Sequence, residues 1–328
     1  MFELGETYMS EQMTRQPRRA NPPIALIGAP TDIGAGHRGS SMGPEALRVA
    51  GIEAALKCLG CAIEDRGNIA GPVNPDASPV NGYRHLEETT IWCQAVRDAV
   101  DDALRRGSLP ILLGGDHSLS IGSIAAVARH CAAMQRPLSV LWLDAHADFN
   151  TPDTSPSGNI HGMPVAVIAG HGPGRLTGLG NQVPMVDPSR IIQLGVRSID
   201  AAEKHNVVRS GMAVYDMRRI DENGMRWAME EILDRLCALG GHVHVSLDVD
   251  FLDPSIAPGV ATTVSGGPTY REAQLCMEMI YDSDLIGSLD IMELNPAFDL
   301  RNRTAELIVE LVQSLFGEQI LSRHGVDL

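Results

Sequence analysis

Leu138-Ser139-Val140-Leu141-Trp142-Leu143-Asp144-Ala145-His146-Ala147-Asp148 reads as an apolar strand that runs straight into three polar side chains spaced two apart. On an extended chain, residues two apart share a face, so Asp144, His146 and Asp148 should point at one spot. A solvated strand end is the plainer alternative. Aspartate, however, has poor strand propensity, and polar groups converging behind a buried strand repel one another unless a cation neutralises them.

Two other segments have the same character. Val243 to Leu247 leads into Asp248-Val249-Asp250, again two carboxylates on one face, and Asp253, just before Pro254, reads as a turn residue. Ile111-Leu112-Leu113 runs into Gly114-Gly115-Asp116-His117-Ser118, where the glycines allow close backbone approach and His117 begins a helix. Taken alone, His117 would more often be structural. Together the three segments offer two imidazoles and four carboxylates, an oxygen-rich set that suits manganese better than zinc and can bridge two ions. A pair of cations about 3.5 to 4 Å apart lowers the pKa of a shared water toward neutrality, which points to hydrolysis.

Outward from these segments, short apolar runs alternate with stretches of helical period. The runs are Ile24 to Ile27, Leu109 to Leu113, Leu138 to Leu143, Ile191 to Val196, Val243 to Leu247 and Ile286 to Ile291. Between them, Glu222 to Leu239 places Met225, Ala228, Met229, Ile232, Leu233 and Leu236 at spacings of three and four before Gly240-Gly241. Further helices are expected over Pro44 to Leu59, His85 to Arg106, Ser120 to Gln135, Tyr270 to Tyr281 and Thr304 to Phe316. The alternation predicts an α/β fold, a single domain with a central, mostly parallel sheet flanked by helices on both faces. Ligands in such sheets bind beyond the carboxyl ends of the strands, where the three polar segments lie. His242 and His244 alternate with valines on the strand leading to Asp248 and read as structural, or as exposed on the helix-facing side.

The chain has 328 residues, is 44% hydrophobic and carries a formal net charge of −15, which argues against a phosphate-binding surface. No nucleic acid partner is expected. The polar opening, residues 1–22, predicts a flexible tail ahead of a catalytic domain over residues 23–328. It has no secretory apolar core, and no segment approaches the roughly 18 to 20 apolar residues that span a bilayer, so no membrane contact and a cytoplasmic location are expected. Six scattered cysteines read as reduced thiols.

Gly114 to Leu119 (Gly-Gly-Asp-His-Ser-Leu), Trp142 to Asp148 and Ser246 to Pro254 (Ser-Leu-Asp-Val-Asp-Phe-Leu-Asp-Pro) resemble, in this order, the three signature motifs of the ureohydrolases. That family includes arginase, agmatinase and guanidinobutyrase. The resemblance runs from about Ile24 to the last helix. It implies two Mn²⁺ per subunit, with His117 and Asp148 as ligands of one, His146 and Asp250 of the other, and Asp144 and Asp248 as bridges. Asp148 would also hold a bridging hydroxide, which attacks a guanidinium carbon.

The loop after Asp148, from Phe149-Asn150-Thr151-Pro152 to Ser157-Gly158-Asn159-Ile160-His161-Gly162, resembles arginases rather than agmatinases. The resemblance gives Asn150, Ser157 and Asn159 to a substrate α-carboxylate and Asp200 to an α-ammonium. Neutral donors suit a carboxylate, and an aspartate suits an ammonium. It makes His161 a proton relay to the departing amine and Glu293 the partner of the guanidinium, with His146 and Thr262 also facing the substrate. Gly259-Val260-Ala261-Thr262-Thr263 departs from the family pattern, since many members have glycine and proline around the threonine. The implied substrate is L-arginine, cleaved to L-ornithine and urea, in a homotrimer or homohexamer. Agmatine or 4-guanidinobutyrate hydrolysis, and a metal-holding subunit without turnover, are the competing expectations.

Overall fold

The computed structural model describes residues 22–321, so apart from Pro22 the expected polar tail lies outside the described residues. All six anticipated runs form strands: β1 (Ile24–Gly28), β3 (Leu109–Leu113), β4 (Leu138–Leu143), β5 (Ile191–Val196), β7 (His242–Asp248) and β8 (Ile286–Met292). Two more join them, β2 (Ile63–Asn68) and β6 (Ala213–Asp216). The strands pair in the order β2-β1-β3-β8-β7-β4-β5-β6, every pair parallel. The two unforeseen strands are the edges. Ile-Glu-Asp-Arg-Gly-Asn and Ala-Val-Tyr-Asp are only partly buried and need no apolar run, because one side of an edge strand faces away from the sheet.

The helices are α1 (Gly43–Val49), α2 (Ile52–Cys58), α3 (Leu86–Arg105), α4 (Ser120–Ala133), α5 (Pro164–Ile168), α6 (Gly174–Thr177), α7 (Ala201–Ser210), α8 (Met217–Asn223), α9 (Met225–Leu239), α10 (Tyr270–Ser283) and α11 (Arg303–Leu315). The single helix expected from Pro44 to Leu59 is two, separated by Gly51 in a left-handed conformation (φ 87°). Gly224 (φ 89°) likewise starts α9 later than the periodicity suggested. Helix α7 escaped the pattern because only Glu203 and Val207 of its ten residues are buried.

Period two sorts the core onto the two faces. Ile24 and Leu26 of β1, with Val243, Val245 and Leu247 of β7, pack against α1, α2, α9, α10 and α11. Ala25 and Ile27, with Val140 and Trp142 of β4, pack against α3, α4 and α5. On that second face the centre of the sheet is polar. His242, His244 and Ser246 of β7 lie beside Ser288 and Asp290 of β8, all buried. His244 bonds Ser288 Oγ through Nδ1 (2.9 Å) and Asp290 through Nε2 (3.1 Å), and Ser123 of α4 donates to the other Asp290 oxygen (2.7 Å). His242 and His244 are therefore structural, and the exposed placement entertained for them is wrong. Such groups are stable inside a sheet only because each finds a partner.

The carboxyl ends of β3, β8, β7, β4 and β5 form one rim, and close backbone contact sets its height. A Cβ on Gly115 would lie 1.7 Å from the Thr31 carbonyl oxygen, while the Gly115 carbonyl accepts from the Glu293 amide (2.8 Å). This clash involves main chain on both sides and cannot be relieved by a rotamer change. Gly115→Ala should lower stability by about 3 kcal/mol or more, read as a fall in unfolding temperature of the purified protein. An unchanged unfolding temperature would contradict this packing.

Candidate active site

Beyond Leu143 the β4 strand has ended, and irregular backbone carries Asp144, His146 and Asp148 toward one another. His146 keeps a single parallel bridge to Ser198, and Asp148 adopts a left-handed φ of 48°. A non-glycine residue there is strained unless its surroundings impose it. Here the first turn of α5 does so, because Val165 and Ala166 both donate to the Asp148 carbonyl (3.0 and 3.3 Å).

His117, Asp144 and Asp148 form one group of ligand atoms, and Asp144, His146 and Asp250 a second, each within 4.8 Å. Asp144 belongs to both through different oxygens: Oδ2 lies 3.1 Å from His117 Nδ1 and Oδ1 lies 3.5 Å from His146 Nδ1. Asp248 Oδ2 faces His117 Nδ1 at 2.9 Å, and Asp250 Oδ2 faces His146 Nδ1 at 2.9 Å. Thr262 Oγ1 donates to Asp250 Oδ2 at 3.4 Å. All six groups are buried except His146, which is partly exposed.

The electrostatics call for positive charge. Burial, then the neighbouring Asp144, pushes the Asp148 carboxyl well above its ordinary range. Burial, then Asp250 and Asp144, does the same to Asp248. Burial, then Asp144, raises Asp250. Asp144 alone goes down: burial would raise it, but hydrogen bonds with His117 and His146 hold it ionised. Both imidazoles are raised, despite burial, by the carboxylates around them. Without a cation these groups coexist only by retaining protons. One imidazole with carboxylates at each of two adjoining positions fits hard or borderline divalent metals.

His161 and Glu293 lie beside this cluster. Glu293 also has a left-handed φ, 65°, and its Oε1 accepts from the His117 amide (2.8 Å) and lies 2.9 Å from His161 Nδ1. Burial opposes charge on both. Even so, each pulls the other toward its ionised form: His161 is raised by Glu293, and Glu293 is lowered by His161. Glu293 Oε2 is buried and has no hydrogen-bond partner among the described residues.

Together with His117, His146, Asp148, Asp248 and Thr262, these residues line a cleft of about 220 Å³, whose wall also carries Asn150, Ser157, Asn159 and Asp200. Asn150 Nδ2 donates to Asp200 Oδ2 (2.9 Å), and Ser157 Oγ accepts from the Asn159 amide (3.2 Å). Asp144 and Asp250 are absent from the cleft wall because they lie beneath it, against the two histidines. Asp253 is the expected turn residue, accepting from the Ser255, Gly266 and Gly267 amides.

Sequence reasoning passed over several residues of the site. Trp142 stacks on His117 (ring centroids 4.1 Å apart, planes within 8°) and donates Nε1–H to Asp144 Oδ2 (2.9 Å). Its position two before Asp144 was the available signal. Ser246 lies 2.9 Å from His117 Nε2 and anchors the far side of that ring. Glu203 joins the loop after Asp148 to α7, accepting from the Phe149 amide (2.6 Å) and the Asp200 amide (3.1 Å), and burial pushes it up to about 7. The Asp200-x-x-Glu203 spacing is a capping box that could have been recognised. Asp116, fully buried and pushed up to about 6 by burial and then by Glu293, accepts from the Gly34 amide (2.9 Å), whose carbonyl in turn holds the His161 amide (3.1 Å).

Comparison with known proteins identifies the family. Residues 22–317 match the Arginase family. The arginase of Agrobacterium fabrum is 44% identical over 299 residues, 91% of this chain and 92% of that protein. The crystal structure of Bacillus caldovelox arginase superposes with a TM-score of 0.87 at 43% identity, covering 92% of this chain and 100% of that one. Entamoeba histolytica arginase, solved in complex with L-ornithine, gives a TM-score of 0.84 at 29% identity, covering 92% of this chain and 100% of that one. A parallel sheet with this site at its carboxyl rim and likeness of this extent place the chain in the arginase family, as a hydrolase of the ureohydrolase type.

Proposed function

We propose that the chain hydrolyses L-arginine to L-ornithine and urea, using two manganese ions held by His117, Asp144, His146, Asp148, Asp248 and Asp250. The observation that carries this reading is the make-up of the cleft wall. A buried carboxylate oxygen of Glu293, without a partner among the described residues, lies beside the ligand cluster, and neutral donors with Asp200 line the same cleft. A guanidinium matches the first group and an α-amino acid head the second. The relatives named arginase support the same substrate. When bound, the two cations supply the charge that brings a water's pKa close to neutral.

This chain's residues account for the other steps. Glu293 pairs with the guanidinium, fixing its plane while Oε1 stays engaged with His117 and His161. Asp148, which lines the cleft beside the ligand cluster, takes the proton of the attacking water as its oxygen bonds to the guanidinium carbon. The tetrahedral carbon collapses by breaking its bond to the ornithine nitrogen. The leaving amine picks up a proton from Asp148 or from His161, whose proton-bearing form the Glu293 carboxylate at 2.9 Å favours. Asn150, Ser157 and Asn159 hold the α-carboxylate, Asp200 holds the α-ammonium, and His146 and Thr262 flank the guanidinium.

Manganese-loaded protein should release urea from L-arginine with kcat/KM at least about 100-fold above that for agmatine or 4-guanidinobutyrate, since a site built for a charged group rejects the analogue lacking it. Preference for either analogue would overturn the arginine assignment, and no urea from any of the three would favour a subunit without turnover. Glu293→Gln retains an acceptor for His117 and His161 but removes the charge opposite the guanidinium. It should lower kcat/KM for arginine by roughly 10²- to 10³-fold with an unfolding temperature no lower than wild type. Near-wild-type kcat/KM would exclude Glu293 from guanidinium binding.

A further inference from the structure

Thr154 is not part of the cleft wall, yet it governs a residue that is. Thr151 to Thr154 form a turn in which the Thr154 amide donates to the Thr151 carbonyl (3.0 Å). Within it, Thr154 Oγ1 accepts from the Thr151 amide (2.8 Å). That leaves the hydroxyl its single hydrogen, and the nearest acceptor is Asn150 Oδ1 at 2.9 Å, against 3.4 Å for the Thr151 carbonyl and hydroxyl. On its other side, the Asn150 amide nitrogen donates to Asp200 Oδ2 at 2.9 Å.

The Asn150 carboxamide is thus clamped between a hydroxyl that donates and a carboxylate that can only accept. Turning it over would bring its carbonyl oxygen within 2.9 Å of the Asp200 carboxylate oxygen and leave the Thr154 hydrogen facing an amide nitrogen. Held as it is, Asn150 spends one N–H on Asp200 and has a second N–H for the cleft that it lines.

We infer that Thr154 is a positioning residue for substrate selection: its hydroxyl sets the Asn150 amide so that the cleft presents a donor, favouring guanidino compounds that carry a carboxylate. This rests on the arginine reading above, in which Asn150 meets the α-carboxylate. Thr154 touches neither the ligand cluster nor the reacting carbon, so its loss acts on binding of the amino-acid head and leaves the chemical step alone.

The test compares wild type, Thr154→Val, which keeps the shape without the hydroxyl, Thr154→Ser, which keeps the hydroxyl, and Thr154→Ala as a second deletion should the valine fail to fold. Steady-state urea release from L-arginine is measured alongside calorimetric binding of L-ornithine and of putrescine, its counterpart without the carboxylate. Thr154→Val and Thr154→Ala should raise KM for arginine and weaken ornithine about 5- to 30-fold. Their kcat should stay within about twofold, putrescine binding should be unchanged, and Thr154→Ser should restore wild-type values. Unchanged KM and ornithine affinity would overturn the inference, as would a parallel loss for ornithine and putrescine, which marks a merely structural role. Wild type binding ornithine no better than putrescine would instead refute the arginine reading, and the role of Thr154 with it.

Discussion

Four carboxylates and two imidazoles forced together under a rim of buried backbone are the constraint from which the rest of the site follows. Burial and mutual repulsion drive Asp148, Asp248 and Asp250 toward their protonated forms, while Asp144, engaged by both histidines, stays ionised. A protein keeps such a cluster only if something repays the repulsion. Two adjoining cations sharing Asp144 would do so, and the same charge would be available for hydrolysis. The left-handed backbone at Asp148 and Glu293 belongs to the same economy: two strained residues are held by main-chain bonds from α5 and from Gly115.

The scaffold meets this demand with central strands that are apolar on one face and polar on the other. Val243, Val245 and Leu247 fill one side of β7, while His242, His244 and Ser246 form hydrogen-bonded contacts on the other. Ser120 and Ser123 of α4 bond Ser246 and Asp290 on this polar face, while Gly122 lets α4 approach α3, where a Cβ would lie 2.3 Å from the Cys93 carbonyl oxygen. Trp142 holds the His117 ring by its face and Ser246 holds it by its edge, and orientation of a ligand by its outer partners is what tunes a metal site.

Much of this was legible in the sequence because the decisive signals are local. Spacing of two across Asp144, His146 and Asp148, and again across Asp248 and Asp250, marked the cluster, and the apolar runs marked the six inner strands. Resemblance to the ureohydrolase motifs added His161, Glu293 and the outer loop. The edge strands β2 and β6 and helix α7 stayed hidden because partly exposed segments need no hydrophobic pattern. Glu203 and Asp116 stayed hidden for a different reason. Their significance lies in bonds to Phe149 and Gly34, dozens of residues away, and no periodicity records such contacts.

The central claim, a pair of cations sharing Asp144, is tested most directly by crystals of manganese-loaded protein measured at the manganese absorption edge. The account predicts two anomalous peaks per chain, about 3.5 to 4 Å apart, with the Asp144 carboxylate between them. A single peak, or two peaks not bridged by Asp144, would contradict it.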